Sequence, residues 1–559
     1  MKKAKIVAAL VPLMVVGALT GCNKKLTDST KTQLYVLNYQ GGYGKKWLEA
    51  AASRFEALNA DKSYESGKKG IQVVIKEEKT TPQNANIKSS KNEVIIFENM
   101  KYESLVNDSV CADITKYITE ANPFETSKTI ESKLYDDQKN FFNMGGKYYA
   151  VPHYVGSMGI VYNRKVFRDN LFYFADDYED YAVGNEARFA ADLDHLSVGP
   201  DGVAGTYDDG LPVTYEEFYE LCDYIDGGSM TPLIWLGKGD YNYLGSEIAA
   251  MTANFDGATD YRANYTMEGS FEAMVLNASG TDVTYDSYGK PVTERVTVHP
   301  EKVGGKYDGY EIQRSASKYY AMSFMENIVH HKSTWAYDRL NDSLLHTDAQ
   351  RYFIKSQFGT LPSNKDAKKN RPIAMIFEGN WWESEASEVF STLTDAQKAE
   401  LDYGWMPLPR SEFATSTRPT TLSDLDAMMF VKAGLSEMKT DLAATFIQYL
   451  NTDEALVEFT TTTSAIKALK YDIGEKREEL TSFGKAFWDY YHTSDVIFPN
   501  SHNQQFVKAL SDQQLSRRYF TNERMSWPSE EFESNPSETA GTYLAKMYKY
   551  YKDSIWSLL

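Results

Sequence analysis

Aromatic, carboxylate and amide side chains stand where predicted strands end or in the connections that follow them. The set is Gly42, Tyr43, Glu98, Asn99, Tyr154, Trp235, Tyr241, Glu378, Asn380, Trp381, Trp382 and Asp424. Open α/β sheets bind ligands at the carboxyl ends of their strands, so we expect these residues to line one cleft. Aromatic rings cover apolar C–H faces while planar polar groups fix hydroxyls, and together they suit a sugar. The alternative for each aromatic residue is ordinary core packing.

Two of these positions carry more weight than the others. Trp381 and Trp382 are adjacent just past a predicted strand, and two neighbouring indoles cannot both point into one core face. At least one of them is therefore expected to line the cleft.

The GGYG segment at 41–44 lets the backbone approach a ligand, although a plain turn also explains it. Glu98 could likewise be a solvated loop acid.

A separate acidic loop runs from Asp201 to Gly210, with Asp208 and Asp209 near its end. Closely spaced carboxylates on a glycine-rich loop suit a hard cation that takes oxygen ligands, and calcium is the candidate. The spacing lacks the terminal glutamate of an EF-hand. A structural calcium ion and a solvated acidic loop both remain open, and no other cofactor is indicated.

Catalytic signatures are missing from the sequence. It contains no GxSxG, HExxH or P-loop motif, no CxxC pair and no cluster of cysteines and histidines. A secreted glycoside hydrolase would need two carboxylic acids across the scissile bond, and nothing marks such a pair among the many acidic residues. We therefore expect a binding protein rather than an enzyme, with the hydrolase as the alternative.

The N-terminus has the order of a secretory signal. Three lysines at positions 2, 3 and 5 precede an uncharged stretch from Ile6 to Gly21, which is short for a membrane span. It ends in Leu19-Thr20-Gly21-Cys22, a match to the bacterial lipobox. By that resemblance residues 1–21 are a signal peptide, and Cys22 carries a lipid that attaches the chain to the outside of the cell membrane. Residues 22–31 read as a tether.

Composition limits the classes of partner and the number of domains. A chain of 559 residues exceeds what one core supports, so two lobes are expected. A formal net charge of -19 argues against nucleic acid, whose phosphates need a basic face. With Cys22 acylated, Cys111 and Cys222 remain, and they could form one disulfide or stay as two buried thiols.

Hydrophobic periodicity predicts the opening of a parallel α/β lobe. Residues 33–39, 71–75 and 93–97 read as strands, and a helix with Trp47 and Phe55 on one face separates the first two. Further along the chain, Thr214 and Glu217 form a capping box that starts a helix over 213–226.

The order of these segments resembles the family 1 extracellular solute-binding proteins of bacterial ABC importers, the group that contains maltose-binding protein. Local matches carry the resemblance, and their order and spacing matter more than any one of them. They are the GGYG turn, KYYAVPHYVGSMGIVYNRKVF (147–167), PVTYEEF (212–218), AMIFEGNWW (374–382) and YGWMPLPR (403–410). The chain is longer than typical members, with extra material near 170–210 and 258–320.

The resemblance implies a two-lobed, periplasmic-binding-protein-like α/β fold, each lobe a sheet flanked by helices, with the ligand cleft between the lobes. The implied divisions are 32–150 for the first lobe, 151–420 for the second lobe, 421–490 as a return to the first lobe, and 491–559 as a helical segment on the second. It further implies a monomer that delivers an oligosaccharide to an ABC permease. Because the family also binds unrelated solutes, a non-sugar ligand is a second alternative.

Overall fold

A computed structural model of the chain describes ten stretches of sequence. They are residues 27–176, 188–235, 243–278, 281–300, 307–337, 346–359, 371–416, 418–423, 427–500 and 528–558. Three residues singled out from the sequence, Cys22, Tyr241 and Asp424, lie outside them. Within these stretches, no helix is both long enough and apolar enough to cross a membrane.

The strands fall into two main sheets and three small ladders. In chain order they are β1 Thr32–Tyr39, β2 Ile71–Glu78, β3 Val94–Phe97, β4 Asn143–Met144, β5 Lys147–Tyr148, β6 Ala150–Pro152, β7 Met158–Asn163, β8 Thr231–Ile234, β9 Phe271–Leu276, β10 Thr293–Val298, β11 Ile373–Gly379, β12 Tyr403–Met406, β13 Thr420–Leu422, β14 Met428–Val431 and β15 Asp495–Ile497.

Helices cover both main sheets. The α-helices are Lys46–Leu58, Asn84–Ser89, Tyr102–Asn107, Thr115–Thr119, Ile130–Lys133, Asp136–Phe142, Arg164–Asn170, Tyr215–Gly227, Tyr243–Tyr261, Ala263–Thr266, Ala316–His330, Lys332–Trp335, His346–Ser356, Trp382–Glu385, Ser387–Ser391, Asp395–Ala399, Glu437–Leu450, Asp453–Thr463, Ser482–Thr493, Pro528–Ser534 and Ala540–Tyr550. The capping box is present as predicted: Thr214 Oγ1 accepts from the Glu217 amide at 3.2 Å, and Glu217 accepts from the Thr214 amide at 3.1 Å.

The first lobe is built on a five-stranded sheet in the order β2-β1-β3-β14-β6. β1 runs parallel to β2 and β3, whereas β14 runs antiparallel to β3 and β6. All four residues of β3 are buried, as expected for a strand covered on both faces. Its core includes Leu48 and Phe55 from the first helix and Phe446 from the return segment.

The second lobe is built on a four-stranded sheet in the order β12-β7-β11-β8. β11 runs antiparallel to β7 and parallel to β8, and β7 and β11 are buried along their whole length. Its separate core includes Phe218, Phe324 and Trp405. Two sheets with two cores confirm the predicted two-lobed α/β fold.

Among the described residues, three segments at the boundary between the lobes lie side by side. The His153 amide donates to the Ala427 carbonyl at 2.8 Å, the Val155 amide donates to the Ile466 carbonyl at 2.9 Å, and the Ala468 amide donates to the His153 carbonyl at 3.2 Å. We call residues 153–155 and 466–468 the hinge ladder.

The return segment divides between the lobes earlier than its sequence indicates. β14 and the helices Glu437–Leu450 and Asp453–Thr463 belong to the first lobe, but the helix Ser482–Thr493 packs Phe483 and Phe487 into the second core. The expected boundary at residue 490 falls inside this helix, because periodicity identifies a helix without identifying the sheet that it covers.

The structure also shows where the 258–320 region and the C-terminal segment pack, which sequence periodicity did not predict. In the region near 258–320, β9 and β10 form an antiparallel hairpin. The C-terminal helix Ala540–Tyr550 packs on the helix Ala316–His330 of the second lobe. Cys111 and Cys222 are free and buried in different cores, so the two-thiol alternative is confirmed.

Candidate functional site

The turn after β1 presents a tyrosine ring to the boundary between the lobes. Gly42 and Gly44 have φ values of 57° and 61°, a region that favours glycine. Indole Nε1 of Trp47 donates to the Gly44 carbonyl at 3.1 Å and fixes the turn. The ring of Tyr43 then lies edge-on to that of Tyr154, with centroids 4.8 Å apart. Tyr43 and Tyr154 therefore form the aromatic part of the first-lobe side.

A buried carboxylate accompanies these rings at the end of β3. Glu98 is only 7% exposed, and its carboxylate accepts a hydrogen bond from the Tyr154 hydroxyl. Burial, and then the Glu98 charge, raise the pKa of Tyr154 well above its ordinary value. Glu98 is thus not a solvated loop acid. Asn99 is exposed with a φ of 56° and makes the turn that follows.

The end of β11 brings the second lobe against this pair. The Asn380 side-chain amide donates to the Tyr43 hydroxyl at 3.0 Å and to the Val155 carbonyl at 3.1 Å. Its carbonyl oxygen accepts from the Ser157 amide at 2.9 Å. One buried asparagine at the end of β11 is therefore bonded both to the first-lobe turn and to the segment 155–157 that leads into β7.

The two adjacent tryptophans separate as expected from their spacing. Trp382 is fully buried in the second core, where its ring meets Tyr403 edge-on at 4.8 Å. Trp381 instead packs with residues of the first core, and its ring lies 6.1 Å from that of Tyr243. Trp381 consequently lies at the lobe boundary.

A pair of glutamates shares one amide beside Trp381. Side-chain Nε2 of Gln350 donates to Glu378 and to Glu385, both at 3.1 Å. Burial, and then the neighbouring Glu385, raise the pKa of Glu378 well above the ordinary carboxyl range. Burial also raises the pKa of Glu385. Two like charges this close disfavour double ionisation.

The structure thus gathers Tyr43, Glu98, Tyr154, Glu378, Asn380 and Trp381 at one boundary. Tyr243, which follows Tyr241 in the same connection, also lies there, and the structure adds Gln350 and Glu385, which the sequence reasoning missed. Glu385 falls one helical turn past Trp381, a spacing that could have identified it, whereas Gln350 has no local signal. Trp235 is buried in the second core, in agreement with the core-packing alternative.

The acidic loop uses its carboxylates internally. Asp208 accepts from the Asp201 amide at 3.0 Å and from the Thr206 hydroxyl at 2.8 Å, while Asp209 accepts from the Gly205 amide at 2.7 Å. Burial raises the pKa of Asp208 to about 7. Across the described stretches, no group of three or more His, Cys, Asp or Glu residues is arranged to hold a metal ion. Calcium at Asp201, Asp208 and Asp209 stays a prediction.

Comparison with known proteins identifies solved structures that have a similar fold. No protein-family model matches the chain, and no curated protein does so either. Among solved structures, the chain resembles a "Chitin oligosaccharide binding protein" with a TM-score of 0.53 and 12% identity, covering 93% of this chain and 99% of the other.

Two further structures are similar to the same extent. The structure described as "SBP RafE in complex with raffinose", a protein from Streptococcus pneumoniae, has a TM-score of 0.51 and 12% identity, covering 93% of this chain and 99% of that one. An ABC substrate-binding protein from Listeria monocytogenes in complex with cycloalternan has a TM-score of 0.51 and 14% identity, with 94% and 98% covered. The chain therefore has the two-lobed fold of ABC-importer substrate-binding proteins along nearly its whole length.

Proposed function

We propose that this chain is the substrate-binding lipoprotein of an ABC importer, which captures an oligosaccharide between its lobes. The observation that carries the proposal is the meeting of Tyr43, Glu98 and Tyr154 from one lobe with Asn380 and Trp381 from the other. Stacking rings and planar hydrogen-bonding groups are what a hydroxylated ring ligand needs. The neighbours' titles name raffinose, chitin oligosaccharide and cycloalternan, which supports a carbohydrate of more than one unit.

Lobe closure follows from a ligand that contacts both sides at once. Such a ligand interacts more strongly with the closed form and shifts the population toward it. Closure about the hinge ladder excludes water, and each hydrogen bond to the ligand becomes stronger in the lower dielectric. The closed form is the state that we propose docks on the permease, with the ligand intact and no reaction catalysed.

Attachment to the membrane is proposed through a lipid on Cys22. We expect the full chain to partition with membranes and to incorporate labelled palmitate when it is expressed in a bacterium. The Cys22→Ala variant should lose both properties. Palmitate incorporation by that variant would contradict the assignment.

Ligand capture is tested with the chain from residue 22 onward, which contains every described residue. We would measure thermal shifts over a panel of mono- and oligosaccharides and then titrate each hit by calorimetry, because a ligand of the folded state raises Tm. The sugar recovered afterwards should be unchanged. Cleaved sugar would favour the hydrolase, and the absence of any sugar-dependent shift would contradict the carbohydrate assignment.

Matched asparagine variants connect binding to the cleft. Asn380→Ala removes the amide that joins Tyr43 to the crossing segment, and we expect at least a tenfold loss of affinity. Asn86→Ala alters an exposed asparagine on a first-lobe helix and should bind like the parent chain. Equal affinity of the two variants would place the ligand elsewhere.

A further inference from the structure

A lysine and a histidine are buried together inside the hinge ladder. Lys467 has no exposed surface and His153 is 2% exposed, and Lys467 Nζ lies 2.7 Å from His153 Nδ1. In the described stretches no carboxylate pairs with this lysine, and its other neighbours are rings: Nζ lies 4.8 Å from the ring centre of Trp47 and 4.5 Å from that of Phe459. Because burying a basic group without an acidic partner is unfavourable, this arrangement calls for an explanation.

The neighbours of this pair are the residues that hold the two tyrosines of the proposed cleft. The ring of His153 lies 4.7 Å from that of Tyr154, the next residue. Trp47 fixes the turn that presents Tyr43, because its indole donates to a carbonyl of the GGYG segment at 3.1 Å. Phe459 lies edge-on to Tyr43, with ring centroids 5.9 Å apart. Each cleft tyrosine therefore contacts, or is held by, a residue that contacts the buried pair.

The contact between the two side chains tolerates only one added proton. A hydrogen bond between nitrogens needs a lone pair on one of them, and an ammonium and an imidazolium both have donors only. Two added protons would also place like charges 2.7 Å apart in a dry site. Burial, and then the charge of Lys467, lower the pKa of His153 well below its ordinary value, and burial lowers the pKa of Lys467. Both shifts keep the contact intact at neutral pH.

The other titratable groups around the pair do not compensate a second proton. The Tyr471 hydroxyl accepts from the backbone amide of the lysine at 3.0 Å, and the Tyr154 hydroxyl donates to Glu98. Burial raises the pKa of both tyrosines, so their hydroxyls stay neutral. Arg54 and Glu458, on the two helices that supply the rings, are paired with each other. The charge that acts on the histidine is that of the lysine.

Resting on the proposed function, we infer that His153 and Lys467 are positioning residues of the ligand cleft, and that the cleft releases its ligand when both side chains carry a proton. While the contact is intact, it holds the rings that place Tyr43 and Tyr154. When the second proton binds, the two nitrogens separate, and the population shifts toward a form that binds sugar weakly. A histidine with an ordinary pKa of about 6.5 in that form would favour it by up to about thirtyfold at pH 5.0.

The test measures the pH dependence of sugar affinity. Raffinose, chitotriose and any tighter sugar of the thermal-shift panel are titrated by calorimetry at pH 7.5 and 5.0 against the chain from residue 22 onward. His153→Asn keeps an acceptor near the lysine but cannot be protonated, so it should bind more tightly than His153→Phe at pH 7.5. The ratio of Kd at pH 5.0 to Kd at pH 7.5 should be at least about tenfold larger in the parent chain than in His153→Asn. Other carboxyl groups of the cleft are the same in each variant, so this difference isolates the histidine.

A double substitution tests whether the two residues act as one unit. Lys467→Met and His153→Phe should each weaken sugar binding about fivefold at pH 7.5, as the loss of one hydrogen bond does. The double variant should bind about as tightly as the weaker single variant, because the contact is lost only once. The matched controls His331→Gln and Lys470→Met change exposed residues and should keep the affinity and the pH dependence of the parent chain. Circular dichroism at both pH values shows which variants are folded, and Lys467→Met and His153→Asn remain informative if His153→Phe is not.

The outcomes separate this inference from the function on which it rests. An affinity that is the same at both pH values, or an equal loss at pH 5.0 in the parent chain and in His153→Asn, overturns the inference and leaves sugar capture standing. Additive losses in the double variant overturn the assignment to a pair, since each side chain would then act by packing alone. If no sugar of the panel binds at pH 7.5, the proposed function fails, and the inference fails with it.

Discussion

At the scale of single residues, neighbours in sequence play different roles. Trp381 and Trp382 follow the same strand, yet one ring lies at the lobe boundary and the other is buried in the second core. The side chain of Asn380, one position earlier, bonds to three residues: Tyr43 in the first-lobe turn, and Val155 and Ser157 in the segment that connects the lobes. Position along a strand end therefore decides whether a side chain meets the other lobe or packs in the core of its own lobe.

The two tryptophans should respond differently to truncation. Trp382→Ala is expected to lower the free energy of unfolding by about 3–5 kcal/mol, because it leaves a cavity in a closed core. Trp381→Ala should lower ligand affinity about tenfold or more, with a smaller loss of stability. Denaturant unfolding measures the loss of stability, and calorimetry measures the loss of affinity. Trp382→Phe keeps an aromatic ring in the core and serves as a folded variant if Trp382→Ala does not fold. Unchanged affinity in Trp381→Ala would contradict the assignment.

Asp208 should make stability depend on pH. Its pKa is raised by burial from 3.8 to about 7, so between these pH values the unfolded chain has lost a proton that the folded chain keeps. The free energy of unfolding therefore falls as pH rises through this window, by at most about 1.4 kcal/mol per pH unit. Asp208→Asn should remove this fall, since an amide can donate to Thr206. The control Asp194→Asn changes an exposed aspartate nearby and should keep the fall in stability. If denaturant unfolding at several pH values gives the same pH dependence of the free energy of unfolding for both variants, the assignment to Asp208 is wrong.

At the scale of elements, the hinge ladder contains a buried lysine in contact with a buried histidine. Lys467 is fully buried, its Nζ lies 2.7 Å from His153 Nδ1, and it sits 4.8 Å and 4.5 Å from the ring centres of Trp47 and Phe459. Burial lowers the pKa of Lys467 well below 10.5, and burial and then the lysine lower the pKa of His153. The hinge ladder therefore contacts the first-lobe core through Lys467 and His153, two side chains whose lowered pKa values favour their neutral forms.

Replacing this lysine should change the alkaline stability profile. Below pH 10.5 the unfolded chain binds a proton at Lys467 more readily than the folded chain, so the free energy of unfolding rises with pH from 7 to 9. Lys467→Met should abolish that rise, whereas Lys470→Met, an exposed neighbour, should preserve it. Denaturant titrations at pH 7, 8 and 9 provide the measurement. A rise of equal slope in Lys467→Met would contradict a buried neutral lysine.

At the scale of the whole molecule, the two lobes have separate cores but share one boundary. A buried hydrogen bond from Asn380 to Tyr43 crosses it, and Arg262 of the second lobe pairs with Asp137 of the first at 2.8 Å. A ligand that contacts both sides should therefore stabilise both lobes together.

The free cysteines report this coupling, since Cys111 lies in one core and Cys222 in the other. In mild denaturant, each thiol reacts with a labelling reagent when its lobe opens. With Cys22→Ala combined with either Cys111→Ala or Cys222→Ala, one thiol remains in each variant, and we expect a bound sugar to slow labelling of both cores. Protection of one core alone would show that the ligand contacts a single lobe.

The sequence alone determined the features that depend on local patterns. Alternation and apolar runs located β1, β3 and β11, and the capping box at Thr214 located a helix start, because side-chain period and capping act within a few residues. The order of these elements indicated two lobes, and the spacing of Trp381 and Trp382 indicated one cleft residue. The strands, the helix start and the two lobes are found in the structure, and the cleft role of Trp381 stays a prediction.

Only the tertiary structure decided which distant residues meet. Gln350 reaches Glu378 and Glu385 from another helix, and Asn380 reaches Tyr43 across the lobe boundary, through hydrogen bonds between residues 28, 35 and 337 positions apart. The same holds for the helix Ser482–Thr493, whose apolar face would suit either core. Local periodicity states that a face must be buried, but the partner that buries it is set by the packing of the whole chain.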